Sequence, residues 1–374
     1  MLGLYIHIPF CEKKCVYCDF YSIESFRQYD DVLDGIHDEI VMRAEKRQYD
    51  ESFDSVFFGG GTPSLLDDVQ LGGILDAVFR NYRVDEDAEI SVECNPGTIT
   101  LEKLRGYSNA GVNRLSIGVQ SFHEDDLRML TRIHSAHDAV EAIRLAHAAG
   151  YDNVNVDLMF SLPGQTTERW QYNLDRVREL GSTHISCYSL TVEQGTPLER
   201  MVQRGMISMP PGESDAVLFE LTMATLSSWG YKHYEVSNYA LPGYECKHNL
   251  GYWRHEDYLG IGPSAYSACA ERRWWNYADV RRYVDTITEG SLPEDDGELL
   301  TLEMRRSEYI YLRLRSEGID VCDFEQRFGT DLRKDNSAFI DRCLSEGYML
   351  VNNGVISLSR KGMLVCDEIC AELS

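Results

Sequence analysis

Cys11, Cys15 and Cys18 stand at C-x3-C-x2-C spacing in "HIPFCEKKCVYCDFYS" (7–22), near the start of the sequence. Three thiolates at this spacing point at one centre when they sit on a loop rather than on a regular helix or strand. A structural zinc site asks for four protein ligands, usually as two separated pairs. A cubane [4Fe-4S] cluster has four irons, so three cysteines leave one iron open to an exogenous ligand. The alternative is three unconnected thiols brought together by chance, which their place on a loop ending a strand disfavours. The sequence holds 11 cysteines. An odd number over a long chain fits reduced thiols better than a disulfide framework. Cys94, Cys187, Cys269, Cys322 and Cys343 are isolated and read as small buried hydrophobes. Cys366 and Cys370 share a helical face with Met363 and Ile369 nearby, which reads as an apolar docking face rather than a metal site.

Other residues have chemistry to offer. Gly59, Gly60 and Gly61 in "FFGGGTPS" (57–64) let backbone approach a ligand closely, although a triple glycine is equally a plain turn. Glu93 in "SVECNPGT" and Gln120 in "SIGVQSF" both end strands, where a side chain reaches outward. Arg132 in "MLTRIHS" offers a guanidinium suited to a carboxylate. Asp157 is an acid inside an apolar strand and demands a partner. Taken singly, each is also an ordinary salt-bridge or capping residue.

These residues need a scaffold, and the first half of the chain supplies a βα rhythm. Strands are expected at 4–10, 55–60, 89–95, 114–120, 153–160 and 184–192, with helices near 26–46, 67–80, 100–110, 135–149 and 167–180. Ser135 is placed to start one helix and Gly150 to end it. Such alternation predicts a parallel sheet with helical crossovers, and six strands make a partial barrel whose strand ends carry the chemistry. After a helix near 213–229, "YKHYEVSNYA", "HNLGYW", "DYLGIGPSAYS" and "WWNY" read as further strands and loops at the sheet edge. The acidic, turn-rich "EGSLPEDDGE" (289–298) reads as a linker. The expected division is thus a core over 1–290 and a C-terminal module over 298–374. Three helices, a short hairpin and a last helix from Ser359 give that module a winged-helix-like outline.

The formal net charge of -25 argues against nucleic acid as a partner, so a packing or partner-docking role is preferred for the module. No apolar run approaches the length of a membrane span, and no signal peptide is evident. A cytoplasmic protein is expected, with any membrane contact peripheral.

The cysteine loop after the first strand resembles the motif of the radical S-adenosylmethionine superfamily, an α/β fold built on a partial (β/α)6 barrel. In that family the amino and carboxylate groups of S-adenosylmethionine bind the open iron, so the missing ligand would be the cofactor. "YIHIPFCxxxCxYCDF", "GGGTPS", "SIGVQSF" and "DLMFSLPGQT" resemble blocks of its coproporphyrinogen III dehydrogenase-like branch, and the likeness runs through essentially the whole chain. The resemblance implies cluster ligation by Cys11, Cys15 and Cys18. It implies cofactor contacts from Tyr5, Tyr17, Gly60, Gly61, Thr62, Glu93, Gln120, Arg132 and Asp157.

Two departures separate the chain from the porphyrinogen-decarboxylating members. Their pattern continues to C-x3-C-x2-C-x-C, whereas Phe20 stands two residues beyond Cys18, and only a short segment precedes Cys11. Both features are similar to the heme-chaperone group, which binds heme and passes it to heme proteins such as respiratory cytochromes. That group carries an H-N-x-x-Y-W block, here "HNLGYW". The resemblance nominates His248 as a heme contact, with Tyr252 and Trp253 as flat apolar surface. A hydrogen-bonded core histidine is the alternative, and Cys246 reads as a buried structural thiol. Porphyrinogen decarboxylation, ring opening or methylation of a tetrapyrrole remain enzymatic alternatives, and the electron donor to the cluster is unknown.

Overall fold

The computed structural model describes residues 2–46 and 52–374. Its first half alternates strand and helix: β1 (Gly3–Ile8), α1 (Tyr29–Glu45), β2 (Phe53–Gly60), α2 (Asp68–Asn81), β3 (Val84–Cys94), α3 (Leu101–Ala110) and β4 (Arg114–Gln120). The short α4 (Glu124–Met129) and then α5 (Ala136–Ala148), β5 (Asn153–Phe160), α6 (Thr167–Glu179) and β6 (His184–Ser189) complete it. β1 to β6 pair in sequence order, all parallel, as the repeat predicts. Local chemistry sets several boundaries. Asp67 with Gln70 and Ser135 with Asp138 form capping boxes at the starts of α2 and α5. Gly111 leaves α3 in the left-handed conformation, at φ +110°.

The strands are two-faced. Leu4, Ile6, Ile8, Val92, Leu115, Ile117, Val154, Val156 and Leu158 bury one face beneath the helices in the main apolar core. The alternate positions face inward and carry polar groups, because successive side chains of a strand point to opposite sides. Parallel register lines these up in rows: Ser91 beside Arg114, Glu93 beside Ser116 and Asn155, and Gly118 beside Asp157 and Ser186.

The sheet grows at both margins. α7 (Pro197–Gln203) and α8 (Gly212–Ser228) lead to β7 (Lys232–His233) and β8 (Asn238–Ala240), which add antiparallel beside β6. On the other side α9 (Lys247–Trp253) precedes β9 (Tyr258–Ile261), which runs parallel to β1. β10 (Tyr266–Cys269), β11 (Arg272–Asn276), α10 (Val280–Thr288) and β12 (Glu294–Leu299) follow, giving a 12-stranded sheet ordered β12-β11-β10-β9-β1-β2-β3-β4-β5-β6-β8-β7.

Two expectations fail here. "HNLGYW" is not strand or loop but the body of α9. The stretch read as a linker contains β12, held to β11 by ladder pairing and by ion pairs of Arg272 with Glu294 and Arg273 with Glu298.

The C-terminal elements are α11 (Leu302–Leu314), β13 (Ile319–Asp320), α12 (Val321–Phe328), α13 (Leu332–Asp335), α14 (Ser337–Ser345), β14 (Met349–Asn352), β15 (Val355–Leu358), α15 (Arg360–Met363) and α16 (Cys366–Leu373). They enclose a second apolar core, and β13 extends the expected hairpin to three strands. Cys366, Ile369 and Cys370 are buried in that core, so they form no open docking face. Cys322 is exposed rather than buried, whereas Cys94, Cys187, Cys246 and Cys343 are buried as expected and Cys269 is half-buried. No helix among the described residues is long and apolar enough to cross a membrane.

Candidate functional site

The inward ends of β1 to β6 and the loop after β1 enclose a cavity of about 640 Å³. Every residue expected at the cluster and cofactor lines it: Cys11, Cys15, Cys18 and Tyr17 from the loop, Tyr5 from β1, and Gly60, Gly61 and Thr62 after β2. Glu93, Gln120, Arg132 and Asp157 complete the set from β3, β4, the segment after α4 and β5.

The thiols sit among groups that fix the loop. The Thr62 hydroxyl donates to Cys11 Sγ at 3.5 Å, and Arg132 Nη1 donates to Cys15 Sγ at 3.4 Å. Arg132 Nη2 donates to the Gly118 carbonyl at 2.7 Å and to Asn95 Oδ1 at 3.2 Å, while its Nε is buried without a protein acceptor. The Thr131 hydroxyl accepts from Val16 N at 3.1 Å, which ties the loop to the same segment. Burial pushes the Cys18 thiol up to about 11, so taking up iron releases a proton there. Gly61 lies so close to β1 that a Cβ would come within 2.6 Å of the Phe10 carbonyl oxygen, and only glycine fits.

Burial favours the protonated forms of the two acids on the cavity wall. Burial, with repulsion from Asp157, pushes Glu93 up to about 8, and its Oε2 accepts from Gly60 N at 3.2 Å. Burial also raises Asp157, whose Oδ1 accepts from Asn155 Nδ2 at 2.8 Å. Among the described residues no three His, Cys, Asp or Glu side chains gather as ligands of one ion. A cubane asks something different, one thiolate on each of three irons. Three thiols, an unsatisfied guanidinium nitrogen and two buried acids on one wall fit a thiolate-held cluster beside a cationic, carboxylate-bearing cofactor.

Arg114 is a site residue that sequence reasoning overlooked. It heads β4, is fully buried, lines the cavity and lies 3.9 Å from Glu89 Oε2. An arginine at the head of a strand whose alternate positions, Leu115, Ile117 and Val119, are apolar was the available signal. Glu89 also accepts from Cys246 Sγ at 3.2 Å, Lys247 N at 3.1 Å and His248 N at 3.4 Å, so it caps α9 from across the sheet.

His248 lies on the wall of the same cavity. It is 3% exposed, its Nδ1 lies 3.0 Å from the Ser55 hydroxyl and its Nε2 2.9 Å from the Tyr252 hydroxyl, and its ring stacks on Phe57 at 5.1 Å. Both ring nitrogens are engaged within the protein, a feature of a core histidine, while the residue still borders the cavity. Tyr252 does border the cavity, whereas Trp253 does not.

Residues 5–177 match the radical SAM superfamily, and 300–365 match the HemN C-terminal domain. The chain is 35% identical to the heme chaperone HemW of Bacillus subtilis (strain 168), over 99% of this chain and 98% of that protein. It is 41% identical to heme chaperone HemW of Escherichia coli (strain K12), over 71% and 69% of the two chains. The solved structure of coproporphyrinogen III oxidase (HemN) from Escherichia coli, a radical SAM enzyme, superposes with a TM-score of 0.83 at 27% identity, covering 100% of this chain and 89% of that one. With its thiol loop, its partial barrel and this match along its full length, the chain belongs to the heme chaperone HemW family of the radical SAM superfamily.

Proposed function

We propose that the chain binds heme and delivers it to recipient heme proteins, with a [4Fe-4S] cluster and S-adenosylmethionine held in the thiol cavity. One observation carries the choice of carrier over porphyrinogen enzyme. Phe20 occupies the position where the dehydrogenase pattern has a fourth cysteine, and it stands 67% exposed on the cavity rim. The curated relatives of like length bear the heme-chaperone name.

In this reading Cys11, Cys15 and Cys18 hold three irons, and S-adenosylmethionine bound at the fourth supplies a sulfonium open to reductive cleavage. Arg132, whose Nε is buried without a protein acceptor, would meet the cofactor's carboxylate. Glu93 and Asp157 face its hydroxyls and positive charge, and Gly60, Gly61 and Thr62 admit its methionyl end beside Tyr5, Tyr17 and Gln120. Heme recipients such as respiratory cytochromes, a cytoplasmic location and a separate electron donor belong to the same proposal.

Anaerobic heme titration of the cluster-reconstituted protein tests it, followed by coproporphyrinogen III, reductant and S-adenosylmethionine. Stoichiometric heme binding, transfer to an apo-heme protein and no decarboxylated product are expected. Porphyrinogen turnover without stable heme binding would instead support the oxidase reading, which the full-length structural likeness to coproporphyrinogen III oxidase keeps specific.

A further inference from the structure

A second cavity, of about 1170 Å³, lies between the β9–β10 margin of the sheet and α11. Tyr5, Asp19, Phe20 and Tyr252 border both cavities. The second carries the rings of Tyr21, Tyr258, Tyr266 and Tyr311 beside those at the shared border, together with the carboxylates of Asp19, Glu256, Asp257 and Glu308. Its volume slightly exceeds the range of small-molecule sites, roughly 300–1,000 Å³. Flat aromatic walls suit a flat apolar macrocycle.

Three arginines line the cavity. Arg273 is committed, at 2.8 Å to both Glu298 and Glu308. Arg305 and Arg327 instead reach out to carboxylates that are not on the walls, Glu271 at 3.0 Å and Asp323 at 2.8 Å. Both pairs are partly exposed and hold weakly. Arg305 Nε is also buried without a hydrogen-bond partner. Two guanidiniums beside an aromatic cleft match an amphiphile bearing two carboxylates.

Two histidines line the cavity. His7 is engaged at both ring nitrogens, Nδ1 lying 3.2 Å from the Tyr5 hydroxyl and Nε2 2.9 Å from the Tyr21 carbonyl. His255 projects from the turn between α9 and β9, and its contact from Nε2 to Glu308 Oε2 is long, at 3.4 Å. Burial lowers its pKa, which keeps the imidazole neutral near pH 7, the form that ligates a metal. Its backbone has φ +57°, in the left-handed region that Asn, Asp and His enter more readily than other non-glycine residues.

We propose that this second cavity is the heme seat, with His255 as an axial ligand to the iron and Arg305 and Arg327 turning from their surface carboxylates to the two propionates. The proposal rests on the heme-carrier reading and adds to it a location and a ligand distinct from His248.

The test is heme titration of the full chain by absorption and electron paramagnetic resonance, with cofactor binding to the cluster-loaded protein as the check on fold. His255→Gly suits the purpose because glycine accepts the positive φ without strain. This variant is expected to lose the imidazole-ligated spectrum and to weaken heme binding on the order of tenfold or more, and free imidazole is expected to restore the spectrum. Arg305→Gln with Arg327→Gln is expected to weaken heme but not heme dimethyl ester, which lacks the propionate charges. Heme binding by the wild type that is unchanged in both variants would overturn the location while leaving the carrier reading standing. A wild-type chain that binds no heme would remove both.

Discussion

The two cavities share a border yet are built differently. The thiol cavity comes from successive parallel strands, each offering its inward side chains at its end, so neighbours in the site are neighbours in the βα order. The second cavity draws on the cysteine loop, the α9–β9 turn, β10 and α11, elements far apart in the chain that meet only because β9 pairs with β1. Repeating topology makes a site whose parts follow a sequence rhythm. Margin strands and an added module make one that depends on long-range packing.

The comparison is broken most severely at the thiols. Cys11→Ala, Cys15→Ala or Cys18→Ala is expected to abolish cluster reconstitution, read as iron and sulfide content, while heme still binds the second cavity; loss of both ligands together would fuse the two sites into one. Glu89→Gln is expected to destabilise the fold next most strongly, by about 3–5 kcal/mol in chemical denaturation, because the buried Arg114 guanidinium loses its charge partner. Unchanged stability would mean that Asp157 and Glu93 suffice for Arg114.

A pH series sharpens the comparison from the cofactor side. Glu93 titrates at about 8 in the fold and in the ordinary carboxylate range, about 4.3, when unfolded, so the folded chain binds the extra proton between these values. Stability of the cluster-free protein therefore falls as pH rises through that window, and the penalty is complete above the folded value. Glu93→Gln is expected to flatten the fall and raise Tm by about a few degrees at the alkaline end, with no difference at the acid end. A parallel fall in the variant would assign it to another group.

His248→Ala is expected to cost about 1–3 kcal/mol by stranding the Ser55 and Tyr252 hydroxyls, yet to keep an imidazole-ligated heme spectrum. Loss of that signature with a stable fold would return the iron to His248. Smallest is Glu317→Gln, which breaks a half-exposed ion pair from Arg254 Nε at 2.8 Å to the C-terminal module; a change of at most about 1 kcal/mol is expected in thermal melts.

Much of the first cavity was legible because the signals are local. β4 and β5 fall at 114–120 and 153–160 as read from alternation, and Gln120 at the end of β4 and Asp157 within β5 reach the site. α9 was not legible for a definite reason: its N-cap Cys246 makes no side-chain cap, and the cap comes from Glu89, 157 residues earlier. β12 escaped because acidic, glycine-bearing sequence favours turns, and only the arginines of β11 make it a strand. His255 carried no motif at all; its place in a cavity wall appears only once α11 is folded against the sheet.

Leu299 ends β12 and Leu302 begins α11, so the C-terminal module joins the sheet with almost no slack. Two intervening residues span roughly 7 Å at full stretch. So short a connection limits how far the module can slide from the sheet, and the Arg254–Glu317 and Arg273–Glu308 ion pairs fasten the two faces to each other. Under the proposed carrier function, hand-over would then take place with the two units still joined along that seam.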